Sequence, residues 1–226
     1  MNRVSLNLPK IPKKTLRQTI YEELKNRIIF AEILPGQLMT LNGLAIEFGV
    51  SLMPVREALW QLESEKIVVI ESNKSIHVST LTAAEMEEAL ELRLMLEAKA
   101  AERSCERITD RDVSKIKHIL DSMENSLEEP ARYMRQNRRF HLGVYSCADS
   151  PMLLQFIHSI WARITPYTNI LTRRFGDLSA SRECHRGMYA ALVKKDQVKL
   201  KKWLCQDLEA AAAVVIAHFD EAFPKP

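Results

Sequence analysis

The part of the sequence that most restricts the fold is a pair of short amphipathic helix patterns with a glycine between them, at residues 41–62. Apolar residues recur at helical spacing in each half, at Leu41, Leu44, Ala45 and Phe48 and then at Val55, Ala58, Leu59 and Leu62. Gly49 can take the left-handed conformation that a tight turn requires, and Ser51 and Pro54 suit the start of a helix. Two short helices that bury facing sides across such a turn predict a helix-turn-helix.

The outward side of the second predicted helix suits DNA binding. In a helix-turn-helix, the first residues of this helix enter the major groove, where an arginine pairs with guanine or with phosphate. Two β-branched runs, 67–70 and 76–78, flank a polar stretch and predict a hairpin that makes the motif a winged helix. The two helices taken alone are also compatible with core packing and no DNA contact. Contacts with double-stranded operator DNA are predicted for Asn42, Ser51, Met53 and Arg56 in the helices and for Asn73 and Lys74 in the wing.

A series of short motifs extends from residue 35 to residue 78: PG, LA, GVS, PVREAL, LE and a valine that ends the wing. Their order and spacing resemble the N-terminal domain of GntR-type bacterial transcription regulators of the FadR subgroup, which implies a DNA-binding winged helix. Leu52 stands where arginine is usual in that subgroup, and Lys66 and Ser75 stand where glycine is usual. The missing arginine removes a base or phosphate contact, so the resemblance does not imply an operator sequence.

Length and composition indicate a folded, cytoplasmic protein. The chain has 226 residues, of which 27% are charged, and its net charge of +3 is too small to indicate nucleic acid by itself. The four cysteines show no CxxC pairing, which favours a reduced compartment, and no run approaches the ~20 apolar residues of a membrane span. Residues 1–14 are predicted to be a flexible basic tail. Its Lys10, Lys13 and Lys14, with the following Arg17, form either a phosphate-seeking arm or a solvated end.

The rest of the chain divides into two predicted domains. We expect a winged helix-turn-helix DNA-binding domain at residues 15–79 and an all-α bundle of six helices at residues 83–220. Thr82, followed three residues later by Glu85, predicts a capping box at the start of the first bundle helix. The predicted fold class is therefore mainly α, with one small hairpin.

Polar side chains lie on the inward faces of three predicted bundle helices. Asn137 and His141, His185, and Asp207 each share a helical stripe with apolar residues, and buried polar groups need partners. A shared polar pocket is therefore predicted. Its imidazole, carboxylate and amide groups suit a divalent metal such as Zn, Ni or Mn. For any one of these residues, an ordinary hydrogen bond in the core is the alternative.

The predicted bundle resembles the FCD effector domain that follows the winged helix in this subgroup, in its six-helix, VanR-like form. The resemblance implies a metal held by one aspartate and three histidines, with an effector carboxylate completing the coordination. The Phe140-His141 pair and His185 match this pattern. Asn137 stands where the aspartate is usual, and Asp207 stands where the last histidine is usual. The competing prediction is a metal-free pocket in which the same residues bind the effector directly.

These observations predict a ligand-responsive transcription regulator, with repression as the expected sense of regulation, and not an enzyme. The effector is expected to be a small carboxylate, and Arg93 is predicted to pair with it unless a salt bridge to Glu97 takes its charge. A homodimer is expected, because such motifs read half-sites about one helical turn apart. The alternatives are a metal-dependent enzyme built on the bundle and a sensor that has lost DNA binding.

Overall fold

The structure is a computed structural model that describes residues 15–71, 75–176 and 178–223. The predicted basic tail at residues 1–14 and the predicted wing contacts Asn73 and Lys74 lie outside the described residues. In the part of the chain that is described, no helix combines the length and the hydropathy that crossing a membrane requires.

The N-terminal part consists of three helices and a small antiparallel sheet. Its elements, in chain order, are α1 (Leu16–Ile29), β1 (Leu38–Met39), α2 (Leu41–Phe48), α3 (Leu52–Ser64), β2 (Val68–Ile70) and β3 (Ile76–Val78). Strand β3 lies between β1 and β2 and pairs antiparallel with both. The predicted hairpin is confirmed. Strand β1 was not predicted, because two residues are too few to show an alternating pattern.

Local sequence explains the helix-turn-helix. The hydroxyl of Thr40 accepts a hydrogen bond from the amide of Gly43 and caps α2. Gly49 ends α2 with φ +63°, in the left-handed region, as predicted. Ser51 occupies the N-cap position of α3, but its side chain makes no capping bond there. Helix α3 packs with α1 in one apolar cluster, and its buried residues are the predicted Val55, Ala58, Leu59 and Leu62.

Within the described residues, six helices follow and confirm the predicted all-α bundle. They are α4 (Ala83–Arg107), α5 (Asp110–Glu124), α6 (Pro130–Ser146), α7 (Pro151–Phe175), α8 (Leu178–Val193) and α9 (Gln197–Ala222). Thr82 and Glu85 form the predicted capping box of α4. Pro130 and Pro151 stand in the first turns of α6 and α7, where a proline removes no internal hydrogen bond. Helix α9 packs against α8, α4 and α7, and α5 packs against α6.

Helix α7 joins the N-terminal part to the bundle. The side-chain amide of Asn169 donates a buried hydrogen bond of 2.9 Å to the carbonyl of Ile29, at the end of α1. The hydroxyl of Tyr167 accepts a bond of 2.9 Å from the amide of Leu81, just before α4. Ala162 belongs to the apolar cluster of the N-terminal part. The N-terminal part therefore rests on a helix that also belongs to the bundle.

A backbone feature of Lys66 generates the first prediction. Its φ is +58°, a left-handed conformation, at the position where the resemblance noted above has glycine. Glycine removes the strain of this left-handed conformation, and that gain outweighs the greater entropy that glycine gives to the unfolded chain. We therefore expect Lys66→Gly to raise the free energy of unfolding by roughly 0.5–1 kcal/mol. The control Lys202→Gly, at an exposed site inside α9, should lower it by about 1 kcal/mol. Denaturant titration measures both, and a less stable Lys66→Gly protein contradicts the account.

Candidate functional site

A cavity of about 200 Å³ lies inside the bundle, lined mainly by α6, α7, α8 and α9. Its polar lining includes Arg93, Tyr133, Asn137, Arg138, His141 and Asp207. Phe30, which follows the last residue of α1, also lines it, so the N-terminal part contributes to the wall. The cavity has room for a small metabolite and not only for an ordered water.

Three of the predicted site residues come together beside this cavity. The Nε2 atom of His141 lies 3.1 Å from Nε2 of His185 and 3.3 Å from Oδ2 of Asp207. The same Asp207 oxygen lies 3.7 Å from Nε2 of His185. All three side chains are buried, and they come from α6, α8 and α9. Ser181 donates a hydrogen bond of 2.8 Å to the other oxygen of Asp207. The cluster therefore exists only when the three helices are packed.

A chain of hydrogen bonds determines which nitrogen of His141 carries a proton. The hydroxyl of Tyr145 donates a hydrogen bond of 2.5 Å to the carboxylate of Glu97. Burial raises the pKa of Tyr145 well above its usual value, so the hydroxyl remains protonated. Tyr145 can then only accept from Nδ1 of His141, which lies 3.0 Å away and must bear a proton. In the neutral ring, Nε2 therefore presents a lone pair to His185 and Asp207.

Burial and neighbouring groups set the charges of the cluster. Burial lowers the pKa of His185 to about 4, so its imidazole is neutral at pH 7. Burial by itself raises the pKa of Asp207, but the two histidines and the hydrogen bond from Ser181 outweigh it and hold the pKa well below its usual value. A carboxylate thus faces an imidazole lone pair at 3.3 Å. Two acceptors this close require a proton or a cation between them.

The donor set fits a divalent metal. The two Nε2 atoms and the carboxylate oxygen all lie within 4.8 Å of one another, and imidazole and carboxylate are suitable ligands for Zn, Ni or Mn. Asn137 lines the cavity one helical turn before His141, and its Oδ1 atom is buried with no hydrogen-bond partner among the described residues. Without a metal, the close contact between His141 and Asp207 is satisfied if Nε2 of His141 also bears a proton and donates a hydrogen bond to the carboxylate.

Arg93 lines the cavity, but a salt bridge neutralises its charge. Its Nε atom lies 2.6 Å from Oε1 of Glu97, which is fully buried, and this is the alternative partner that the sequence left open. Glu97 also accepts bonds from Tyr145 and from the indole of Trp161, so donors from α4, α6 and α7 meet at one carboxylate. Tyr145 and Trp161 were not predicted. The signal for Tyr145 was its position four residues after His141 on one helix face.

The predicted DNA contacts of the helix-turn-helix are exposed. Asn42 lies in α2, and Ser51, Met53 and Arg56 lie at the start of α3. Arg56 makes no hydrogen bond or ion pair with any residue that the structure describes, so its guanidinium is available to DNA. Leu52, which stands where arginine is usual, is 41% exposed and presents an apolar side chain there.

Comparison with known proteins bears on both parts of the chain. Residues 16–78 match the bacterial regulatory proteins of the gntR family, and residues 88–221 match the FCD domain. The chain belongs to the GntR family and carries an FCD domain. In this GntR-family protein, the winged helix and the bundle are therefore both related to known regulators.

Relatives of similar length show what such chains do. This GntR-family protein is 23% identical over 215 residues to the HTH-type transcriptional regulator McbR of Escherichia coli strain K12, with 93% of this chain and 97% of McbR covered. It is 28% identical over 198 residues to the gluconate operon transcriptional repressor of Bacillus subtilis strain 168, with 83% of this chain and 79% of that repressor covered. The solved structure of E. coli McbR has the same fold, with a TM-score of 0.84 at 23% identity over 91% of this chain and 99% of that one. The protein is a DNA-binding transcription regulator, as predicted, and not an enzyme.

Proposed function

We propose that the protein is a repressor that binds operator DNA as a homodimer in the cytoplasm, and that a small carboxylate metabolite in the cavity controls its operator affinity. The observation that carries the proposal is a polar cavity in the bundle with Phe30, from the N-terminal part, in its wall. The gluconate operon repressor among the relatives supports repression as the sense of regulation. The proposal assigns DNA binding to residues 15–79, preceded by the basic tail, and effector binding to residues 83–220.

The proposal includes a divalent metal, such as Zn, Ni or Mn, held by His141, His185 and Asp207 with Asn137 as a fourth ligand. Its support is the close approach of three donor atoms and the unpartnered amide oxygen beside them. When bound, such an ion supplies positive charge and an open coordination position for an effector carboxylate. Tyr145 orients the ring of His141 for this role by accepting a hydrogen bond from its Nδ1–H group.

Operator binding is proposed for the exposed start of α3 and for the wing. Arg56 has no partner in the described part of the chain, and the hydroxyl of Ser51 makes no capping bond, so both are available to DNA. The full proposed contact set is Asn42, Ser51, Met53, Arg56, Asn73 and Lys74. A two-fold dimer presents two such surfaces to half-sites about one helical turn apart.

Two contacts connect the cavity to the DNA-binding part. Phe30 lines the cavity and directly follows α1. Asn169 also lines it, and its amide holds the carbonyl of Ile29 at 2.9 Å. A ligand in the cavity contacts Phe30 and competes for the amide of Asn169, and so favours an arrangement in which α1 shifts on α7. A ligand changes such an equilibrium only by binding one arrangement better, and these side chains are where that difference arises.

A gel shift with the DNA upstream of the protein's own gene tests the operator contact. We expect Arg56→Ala to weaken binding roughly ten-fold, because an arginine contact to a base contributes about 1–3 kcal/mol. The matched control is Arg111→Ala, at an exposed arginine of α5, which should bind like the wild type. Equal affinities for Arg56→Ala and the wild type remove Arg56 from the proposed surface.

Metal content and the proton on His141 test the metal proposal together. We expect protein purified without chelator to contain stoichiometric divalent metal, and Tyr145→Phe to lower the affinity for Zn²⁺ roughly 10–100-fold, as loss of a supporting hydrogen bond does. In metal-free protein, nitrogen-15 spectra of Tyr145→Phe should show the His141 proton moving from Nδ1 towards Nε2. Tyr189→Phe, at a half-buried tyrosine of α8, is the control. If the purified protein contains no metal and the wild type and Tyr145→Phe bind Zn²⁺ with the same affinity, the metal-free alternative holds.

The connection between cavity and DNA is tested with small carboxylates that release the wild-type protein from its operator. We expect Asn169→Ala to bind operator within a few-fold of the wild type but to lose most of this release, because the amide that senses the ligand is gone. Asn125→Ala, at the exposed end of α5, should respond normally. An unchanged response in Asn169→Ala rejects the connection, and a wild type that no carboxylate releases rejects the proposed effector class.

A further inference from the structure

Arg138 is a half-buried cation of the cavity to which the proposed function gives no role. Its side chain lines the cavity, one residue after Asn137 on α6. Its Nη1 atom is buried and has no hydrogen-bond partner among the residues that the structure describes. The guanidinium lies 5.0 Å from the centre of the Trp161 ring, a cation–π contact that is attractive but supplies no negative charge.

Arg93, which the sequence suggested as the partner of an effector carboxylate, has a different environment. It also lies over Trp161, at 5.5 Å, but the carboxylate of Glu97 at 2.6 Å neutralises it. In the described part of the chain, Arg138 has no carboxylate at salt-bridge distance. Burial and the like charge of Arg93 lower the pKa of Arg138 to about 10, which still leaves it protonated at pH 7. The cavity therefore contains one paired and one unpaired guanidinium.

The unpaired guanidinium lies close to the histidine and aspartate cluster. Arg138 and His141 are three residues apart on α6, a spacing that puts their Cβ atoms about 5–6 Å apart on one side of a helix. Both side chains line the same cavity. A buried charge without a counter-ion is costly, whereas a guanidinium binds the paired oxygens of a carboxylate or phosphate with good geometry. An anionic group placed here satisfies Arg138 and reaches the cluster.

We propose that Arg138 is the anchor for the anionic head group of the cavity ligand, a carboxylate or a phosphate, and that Arg93 serves to hold Glu97 in place. This inference rests on the proposed function, because it concerns the same cavity, and it names the residue that selects for negative charge. It also implies that Arg138 lowers the stability of the ligand-free protein, because its charge is compensated only when the ligand is bound.

The binding test uses the full chain and three probes: acetate, inorganic phosphate and acetamide, which has the shape of acetate without its charge. The indole N–H resonance of Trp161 is the reporter, because its ring contacts the guanidinium. In the wild type we expect a saturable shift with acetate or phosphate and none with acetamide at the same concentrations. Whichever anion shifts the resonance identifies the head group. The titrations are run on metal-free and on Zn²⁺-loaded protein, and the form that binds is used for the variants.

Three variants separate Arg138 from its surroundings. Arg138→Gln should weaken binding of the anion at least about ten-fold, since a hydrogen bond to a charged group is lost, and Arg138→Lys should retain part of it. Arg139→Gln, at the exposed neighbour that bonds Gln136, should behave like the wild type. Unchanged anion binding in Arg138→Gln overturns the proposal, as does an equal response to acetamide or the absence of any anion response in the wild type.

A second measurement does not depend on the probe. We expect ligand-free Arg138→Met to unfold at a temperature higher by about 2–4 °C, because a half-buried charge that has no carboxylate partner has been removed. A lower unfolding temperature shows that the contact with Trp161 is structural and overturns the proposal. Operator binding of the wild type and of Arg138→Gln is measured alongside. If the wild type binds its operator and Arg138→Gln binds the anion as tightly as the wild type, only the role of Arg138 as anchor is rejected. If the wild type does not bind its operator, the proposed function itself is rejected.

Discussion

The buried carboxylate of Glu97 is the group on which the interior of the bundle depends. It accepts hydrogen bonds from Arg93, Tyr145 and Trp161, which belong to α4, α6 and α7. Burial of a carboxylate costs on the order of several kcal/mol unless donors surround it, so these helices are held where all three donors reach it. Because Tyr145 donates its hydrogen bond to Glu97, it can only accept from Nδ1 of His141, so the Nδ1–H of that ring points away from the cluster. The geometry of the cluster is thus set by a group that does not line the cavity.

Helix α7 gives this arrangement its connection to DNA binding. Trp161 lines the cavity, and the next residue, Ala162, belongs to the apolar cluster of the winged part. Successive residues of a helix point in directions about 100° apart, so one rigid element can serve both parts. Asn169 combines the two roles, because it lines the cavity and bonds the carbonyl of Ile29. The proposed coupling between the cavity and α1 therefore runs through one helix.

Much of the fold was predictable from local pattern. Gly49 at the turn, the capping box of Thr82 and Glu85, and the two prolines that open helices all act within a few residues of the chain. Strand β1 escaped prediction because its pairing with β3 spans about forty residues and its own pattern is too short. The hydrogen bonds of Glu97 with Tyr145 and Trp161 also join residues far apart in the chain, by 48 and 64 positions, so no local pattern indicated them.

The sequence by itself determined the family resemblance, the helical architecture and the candidates His141, His185 and Asp207, because helix periodicity and family motifs mark them individually. Only the tertiary structure decided that these three meet beside a cavity that Phe30 helps to line. The tertiary structure also determined which of the two arginines that line the cavity has no carboxylate partner among the described residues. Arg93 and Arg138 are chemically identical in the sequence, and they differ only because Glu97 reaches one of them and no described carboxylate reaches the other. The pairing of a buried charge depends on how the helices pack, which no local pattern specifies.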